Sequence, residues 1–358
     1  MYTLTDCSAA ATIVSAPAAL NFGPNTIAEE ASTPLANEIR GKNVLITGTS
    51  VNGLGFEAGR AIAKHANLVI LTGYNCERHT QALRSAEKQL MQDVPDANIR
   101  TLVLDLASLA AVRIAAAEVN AFKEPIHVLI HNAASSLCGF KLTADGFEHQ
   151  IATDHLGPFL FTALILPNIL ASQNATFTPR VVYVSSSAHA WVNGVDFAEL
   201  EHPTENAYNP VTAYAQAKSA NILTARELTR RAGGRINAYS LTPGAVETGF
   251  FMKASEEGRE ELLLRDIITE NGNVNPNALP WKTVPQGAAT LVTAAFDPSL
   301  NDKPGCYLSN SAEHNISVAA HASDSGEAEK LWALTEHLVG VEFSFSSSVP
   351  IPKAYWWG

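Results

Sequence analysis

Val44-Leu45-Ile46-Thr47-Gly48-Thr49-Ser50-Val51-Asn52-Gly53-Leu54-Gly55 is the stretch that decides the fold. Three consecutive apolar residues read as a strand buried on both faces, and a helix-compatible stretch follows from Gly55 to His65. Gly48, Gly53 and Gly55 let the chain turn tightly between the two. Such a turn brings backbone N–H groups close to a pyrophosphate held at the positive end of the helix. Glycines alone describe any strand-to-helix turn; their place after a buried strand points to a dinucleotide.

Working outward, further apolar runs appear at Leu68-Val69-Ile70-Leu71, Ile99 to Leu104, Val128-Leu129-Ile130, Val181 to Val184 and Ile236 to Leu241. Helical lengths separate them, among them Cys76 to Gln92 and Leu106 to Phe122. Continuous apolar strands alternating with helices predict an α/β fold, a parallel sheet covered on both faces and doubly wound. Cys306-Tyr307-Leu308 is a candidate last strand, and Leu156 to Leu170, with Pro158 and Pro167, reads as a buried helix with a proline-marked end. With no internal repeat, one domain over residues 41–340 suffices, preceded by an arm (1–40) and followed by a tail (341–358) that ends Tyr355-Trp356-Trp357-Gly358.

Composition excludes several functions. The balance of 24 Lys+Arg against 35 Asp+Glu gives a net charge of −11 with no basic run, which argues against nucleic acid and against anionic lipid. The longest apolar run is too short for stable membrane insertion. Cys7, Cys76, Cys138 and Cys306 lie far apart, without the paired spacing of a zinc site or redox dithiol. Free thiols in a reducing compartment follow, and the N-terminus lacks the basic residues of a leader, so a cytoplasmic location is expected. Whether the chain forms a homo-oligomer stays open.

Leu71-Thr72-Gly73-Tyr74-Asn75 ends the second strand without the carboxylate that usually meets an NAD ribose. A 2′-phosphate is then not repelled, and Arg78 with the hydroxyls of Thr49 and Ser50 can receive it, so NADP is expected ahead of NAD. Farther on, Tyr214 and Lys218 stand four residues apart in a helical stretch and share one face. A phenol with an ordinary pKa of about 10 works as an acid or base near neutrality only beside a cation. Lys218 can be that cation and can also hold a ribose hydroxyl. Ser185-Ser186-Ser187, at the carboxyl end of a strand, offers a hydrogen-bond donor to a carbonyl oxygen on which charge develops.

In this order the residues resemble the short-chain dehydrogenase/reductases over about residues 40–340, which implies a Rossmann-type fold and hydride transfer. Thr47 to Gly55 is similar to the family's glycine loop, with one extra spacer residue. The resemblance implies that Gly48, Ser50, Gly53, Leu54 and Gly55 hold the cofactor, that Asp105 meets the adenine, and that Asn132 lines the site within His131-Asn132-Ala133-Ala134. Pro243-Gly244-Ala245-Val246-Glu247-Thr248 is similar to the segment that contacts nicotinamide and phosphates through Val246 and Thr248. Ser186, Tyr214 and Lys218 match the catalytic Ser, Tyr and Lys, with Ser187 as the alternative to Ser186. The chain looks most like retinol-dehydrogenase-like and WW-domain-oxidoreductase-like members, including fungal ones linked to secondary metabolism.

One position departs from the pattern: Asp154, in Thr153-Asp154-His155-Leu156-Gly157, stands where the family's catalytic Asn is expected. The resemblance implies a main-chain carbonyl holding a water linked to Lys218, and Asp keeps that carbonyl. A carboxylate beside Lys218 would weaken the field at Tyr214, so the side chain is expected to stay clear of the ammonium. After Thr248, the residues Phe250, Phe251, Met252, Leu262, Leu263, Leu264 and Trp281 occupy the place of a substrate lid and predict an apolar or amphipathic substrate; the competing reading is plain core. Two other functions compete. A cofactor-binding regulator without turnover would not need Tyr214 and Lys218 intact, and neither would a methyltransferase on a similar sheet.

Overall fold

Eight strands form one sheet in the computed structural model, which describes residues 20–345 apart from 75, 76 and 207, and no side chains at 77–80. They are β1 (Asn43–Ile46), β2 (Leu68–Gly73), β3 (Ile99–Val103), β4 (Val128–His131), β5 (Arg180–Val184), β6 (Asn237–Thr242), β7 (Tyr307–Ser309) and β8 (Ala312–Glu313). The order across the sheet is β8-β7-β6-β5-β4-β1-β2-β3, parallel throughout except for the β7–β8 pair. Helices α1 (Leu54–Ala63), α2 (Glu77–Asp93), α3 (Leu109–Asn120), α4 (Gly157–Leu170), α5 (Pro210–Ala232), α6 (Val284–Phe296) and α7 (Ser325–Val339) cover the two faces.

Strand alternation divides the core. Val44 and Ile46 of β1 belong with Val69, Leu71, Val128, Ile130 and Leu241 to one apolar cluster, under α1 and α6. Leu45 joins Ile70, Leu129, Val181 and Tyr183 on the other face, under α3, α4, α5 and α7. Successive side chains of a strand point to opposite faces, so a run such as Val44-Leu45-Ile46 can only be satisfied by a sheet covered on both sides.

Residues expected to form an arm do more than that. Short helices at Ala28–Ser32 and Ala36–Ile39 place Ala28, Ala31, Leu35 and Ile39 in the core, all at 1% exposure or less. The first of them packs on α6 and α1, and Glu29 pairs with Lys64 at 2.6 Å and with Arg60 at 3.6 Å. Four apolar residues spread thinly among polar ones lack the periodicity of a longer helix, which hid them. At the other end Phe343 packs tilted against Trp332 and edge-on against Phe159, with ring centres 4.6 and 4.9 Å apart, so the tail begins packed on the core; its final Tyr355-Trp356-Trp357-Gly358 lies outside the described residues.

The expected helix at 156–170 also differs. It continues a helical run that starts at His149 and widens into a π-helical turn at Ala152–Leu156, while Pro158 sits in the first turn of α4 and Pro167 inside it. Gly157 is required where the run crosses α3's leading loop, because a Cβ there would lie 2.2 Å from the Leu106 carbonyl oxygen. Among the described residues no helix is long and apolar enough to cross a membrane.

Replacing Ile39 by Ala should lower the unfolding free energy by about 2–5 kcal/mol, the usual cost of emptying a buried aliphatic site. Chemical denaturation of both proteins checks this; a change near zero would return residues 28–39 to the status of a loose arm.

Candidate active site

Where β1 and β4 lie side by side, the chain leaves them in opposite directions and opens a crevice at their carboxyl ends. Thr47, just past β1, ties the two together: its Oγ1 accepts the N–H groups of Asn132 and Ala133, both at 3.0 Å. Asn132 Nδ2 donates to the carbonyls of Thr47 and Gly48 at 2.9 Å. The glycine turn then runs over this platform. Gly48 has φ +71, and a Cβ on it would lie 2.6 Å from Ala133 Cα. A Cβ on Gly55 would sit 2.5 Å from Asn132 Nδ2. Asn52 takes φ +63 and absorbs the extra spacer residue.

Gly53 opens α1 without a side-chain cap. The first N–H groups of a helix have no partner within it, so they are open to an anion here. Leu54, Ser50, Asp105, Asn132, Val246 and Thr248 line the same cavity, of about 1520 Å³. That exceeds the roughly 300–1,000 Å³ of a typical small-molecule pocket and suits a dinucleotide with a second molecule beside it. These residues fit a nicotinamide dinucleotide: the close approaches at Gly48 and Gly55 leave backbone, not side chains, facing the phosphates. Asp105 Oδ1 accepts the Ala107 N–H at 3.0 Å. Thr49, expected to offer its hydroxyl to a 2′-phosphate, instead donates it to the Thr72 carbonyl at 3.1 Å and is nearly fully buried. Ser50 and Tyr74 are exposed at that end; the Arg78 side chain lies outside the described residues.

Helix α5, which carries Tyr214 and Lys218, is well bounded. Asn209 caps it by accepting the N–H groups of Val211 and Thr212, Pro210 occupies the first turn, and Gly233 closes it at φ 57. Its 3.6-residue repeat puts Tyr214 and Lys218 on the face toward the crevice, with Lys218 Nζ 5.3 Å from the Tyr214 ring centre. Ser186, just past β5, lines the cavity beside Tyr214 and its Oγ accepts the Ala188 N–H at 3.1 Å, whereas Ser187 faces solvent. Ser186 is held in turn: His189 Nδ1 donates to its carbonyl at 2.7 Å while His189 Nε2 accepts the Ala319 N–H at 3.2 Å. Burial pushes the His189 imidazole down, toward the neutral form this arrangement needs.

Asp154 corrects the sequence-based expectation. Its carboxylate does not stay clear of the ammonium: Oδ2 lies 2.9 Å from Lys218 Nζ, in a contact that is an ion pair rather than a well-aligned hydrogen bond. Oδ1 accepts the Ser135 N–H at 2.7 Å. Both side chains are buried, Asp154 completely. Removing an ammonium from water is costly without a counter-charge, and the carboxylate supplies one. Burial lowers the Lys218 pKa, and Asp154 and Tyr214 outweigh it, so Lys218 stays ammonium above its ordinary range. Lys218 also donates to the Val184 carbonyl at 3.2 Å, which leaves its third N–H for the cavity it lines.

Opposite Tyr214 lies an aromatic chain, with Phe250 5.1 Å from the Tyr214 ring, Phe251 5.4 Å from Phe250, and Trp281 5.6 Å from Phe251. Leu262 is buried with this group, but Met252 and Leu264 are over 80% exposed and Leu263 is also exposed, so only part of the expected lid faces inward. Three contributors escaped the sequence. Lys282 lines the cavity with Nζ 2.5 Å from Asn310 Oδ1, and Pro24 reaches it from the N-terminal segment. Tyr208 bridges Glu148 and the Cys138 carbonyl and so braces Asp154's helix against α5. Isolated residues far apart in the chain carry no spacing signal, so nothing in the sequence marks them.

A phenol and an ammonium facing a dinucleotide-sized crevice at this edge of a parallel sheet define a nicotinamide-dependent oxidoreductase. Comparison with known proteins narrows the class. Residues 42–196 match the short chain dehydrogenase family. Over 325 residues the chain is 32% identical to the short-chain dehydrogenase TIC 32 A, chloroplastic, of Brassica napus, covering 89% of this chain and 94% of that protein. It is 32% identical over 309 residues to the WW domain-containing oxidoreductase of Homo sapiens, covering 84% and 69%. A crystal structure of an uncharacterized protein from Mycobacterium paratuberculosis superposes with a TM-score of 0.62 at 27% identity, over 87% of this chain and 98% of that one. Two more distant structures of the same fold hold nicotinamide cofactors. They are a 3-oxoacyl (acyl-carrier-protein) reductase from Agrobacterium tumefaciens with NADP (TM-score 0.55, 19% identity, 77% and 96% covered) and carveol dehydrogenase from Mycobacterium avium with NAD (0.56, 17%, 76% and 96%). The chain belongs to the short-chain dehydrogenase/reductase family.

Gly55→Ala should weaken dinucleotide binding by about tenfold or more, on the order of 1.4 kcal/mol, because the new methyl displaces the Asn132 amide from the turn. Fluorescence titration with NADPH reads the loss; unchanged affinity would mean that the turn does not hold the pyrophosphate.

Proposed function

We propose that this protein is an NADP-dependent oxidoreductase acting on an apolar or amphipathic alcohol/carbonyl pair. The observation that carries the reading is the placement of Tyr214, with Ser186 beside it and Lys218 behind it, between the dinucleotide crevice and the Phe250–Phe251–Trp281 wall. A bound nicotinamide supplies or accepts the hydride. Tyr214 moves the proton at the substrate oxygen, and Ser186 donates a hydrogen bond to that oxygen as charge builds on it. Lys218 presents its third N–H to a ribose hydroxyl and so fixes the nicotinamide near the phenol. The aromatic wall excludes water and favours an apolar substrate.

NADP is favoured over NAD because β2 ends Thr72-Gly73-Tyr74 with no carboxylate to repel a 2′-phosphate, and the Ser50 hydroxyl is exposed beside it. NADPH should therefore bind several-fold more tightly than NADH in a fluorescence titration. Tighter NADH binding would remove this part of the reading.

Tyr214→Phe removes only the transferable proton. Assayed with NADPH and a panel of apolar ketones and aldehydes at the nicotinamide absorbance, it should lose about 10²-fold or more in turnover while keeping cofactor affinity. Full activity in that variant would reassign the acid, and a wild-type protein that binds NADPH yet turns over nothing would favour a regulatory binding protein instead.

A further inference from the structure

The ion pair at the centre of the site bears on the direction in which it works. Carbonyl reduction needs Tyr214 as a neutral phenol, because the phenol gives up its proton. Alcohol oxidation needs the phenolate, because the phenolate receives one. In an oxidoreductase of this type the balance is set by the charges around the ring, and Lys218 is the only cation recorded against it among the described residues. A lone ammonium would pull the phenol down toward neutrality. Lys218 is not alone: Asp154 lies 2.9 Å from it in a fully buried position, so the ring faces a dipole of nearly zero net charge.

We propose that Asp154 is a positioning residue that biases the site toward carbonyl reduction: by neutralising Lys218 it keeps Tyr214 protonated at neutral pH. The inference rests on the oxidoreductase reading above and extends it to direction. In the favoured step a hydride from the reduced nicotinamide forms the new C–H bond at the carbonyl carbon. The π pair of the C=O bond takes the Tyr214 proton to form the alcohol O–H, the nicotinamide is oxidised, and the phenolate regains its proton from solvent. The reverse step at the same pH must first ionise Tyr214, which the carboxylate opposes.

The surrounding groups act in the same sense. Burial pushes the Tyr214 phenol up, Lys218 and Ser186 pull it down, and Asp154 adds to the rise. From the segment that carries Asp154, Glu148 is buried and tied to the Tyr208 hydroxyl, and burial pushes the His149 imidazole down toward its neutral form. Cys138 and Tyr208, which precedes α5, are both held neutral by burial above all. From β7, Tyr307 is a buried phenol also held neutral by burial. None of these adds a second cation to offset Asp154. The π-helical turn at Ala152–Leu156 gives the carboxylate its aim, and the Ser135 N–H holds its other oxygen.

Two measurements decide the matter. The first is kcat/KM for NADPH-driven reduction and NADP-driven oxidation of one substrate couple, from pH 6 to 10.5, in the wild-type protein and Asp154→Asn. Oxidation by the wild type should climb about tenfold per pH unit through this range while reduction stays level. In Asp154→Asn both inflections should fall by about one pH unit or more, with oxidation at pH 7 rising about tenfold. Inflections that do not move, with kcat or KM scaled equally at every pH, would reduce Asp154 to a structural role and overturn the proposal.

The second measurement needs no turnover. The ultraviolet absorbance of the phenolate, taken as wild type minus Tyr214→Phe across the same pH range, reports Tyr214 directly. A transition above the ordinary phenol range is expected; one near neutrality overturns the proposal even if Asp154→Asn fails to fold. A protein inert in both directions would instead take away the enzymatic reading, while the phenolate titration would still report on Asp154.

Discussion

The hydroxyl of Thr47 closes the seam on which the rest of the molecule depends. It accepts two backbone N–H groups from the end of β4 at the point where β1 and β4 send the chain to opposite faces of the sheet. Everything placed at that edge inherits its position from this seam: the glycine turn lies over it, Asn132 crosses beneath, and β5 sets Ser186 one strand away. A parallel sheet must bury both faces, and the helices that bury them keep the strands in register. The crevice is therefore rigid where the cofactor lies.

That rigidity is matched by an electrostatic arrangement of unusual economy. A fully buried lysine needs its charge answered, and in this chain the answer comes from a side chain, Asp154, rather than from water and a main-chain carbonyl. The same carboxylate takes the N–H of Ser135, so one group satisfies a loop and a buried cation together. Lys218 keeps one N–H for the cavity, and the phenol four residues away feels a muted field. The aromatic wall of Phe250 and Phe251 stands beside that phenol.

Much of this was legible in the sequence, for physical reasons that can be named. The parallel sheet covered on both faces followed from apolar runs too continuous for a one-sided sheet, and the shared face of Tyr214 and Lys218 followed from their four-residue spacing in a helix-compatible stretch. What escaped were effects that arise only from packing. Leu35 and Ile39 gave no periodic signal, yet they are core. Thr49 looked available for a phosphate, but its hydroxyl is spent on Thr72. Met252 and Leu264 read as lid residues and turn outward, because a short amphipathic helix shows its spacing but not which side it will bury. The aim of the Asp154 side chain could not be read at all, since regular helix geometry does not foresee a π-helical turn.

That wider turn has a consequence of its own. A π-helical turn holds one residue more than an α-helical turn, and it separates His149–Asp154 from the stretch that Gly157 locks against Leu106. Deleting a single residue within Ala152–Leu156 would restore the ordinary winding and leave the stretches on either side in nearly the same phase, because the wider turn is what absorbs the extra residue. Asp154 sits within the widened turn, so its carboxylate would lose the aim that turn gives it while α4 kept its seat. The charge at the heart of the site is thus governed by a unit of inheritance as small as one codon gained or lost, independent of any change in which amino acid stands at position 154.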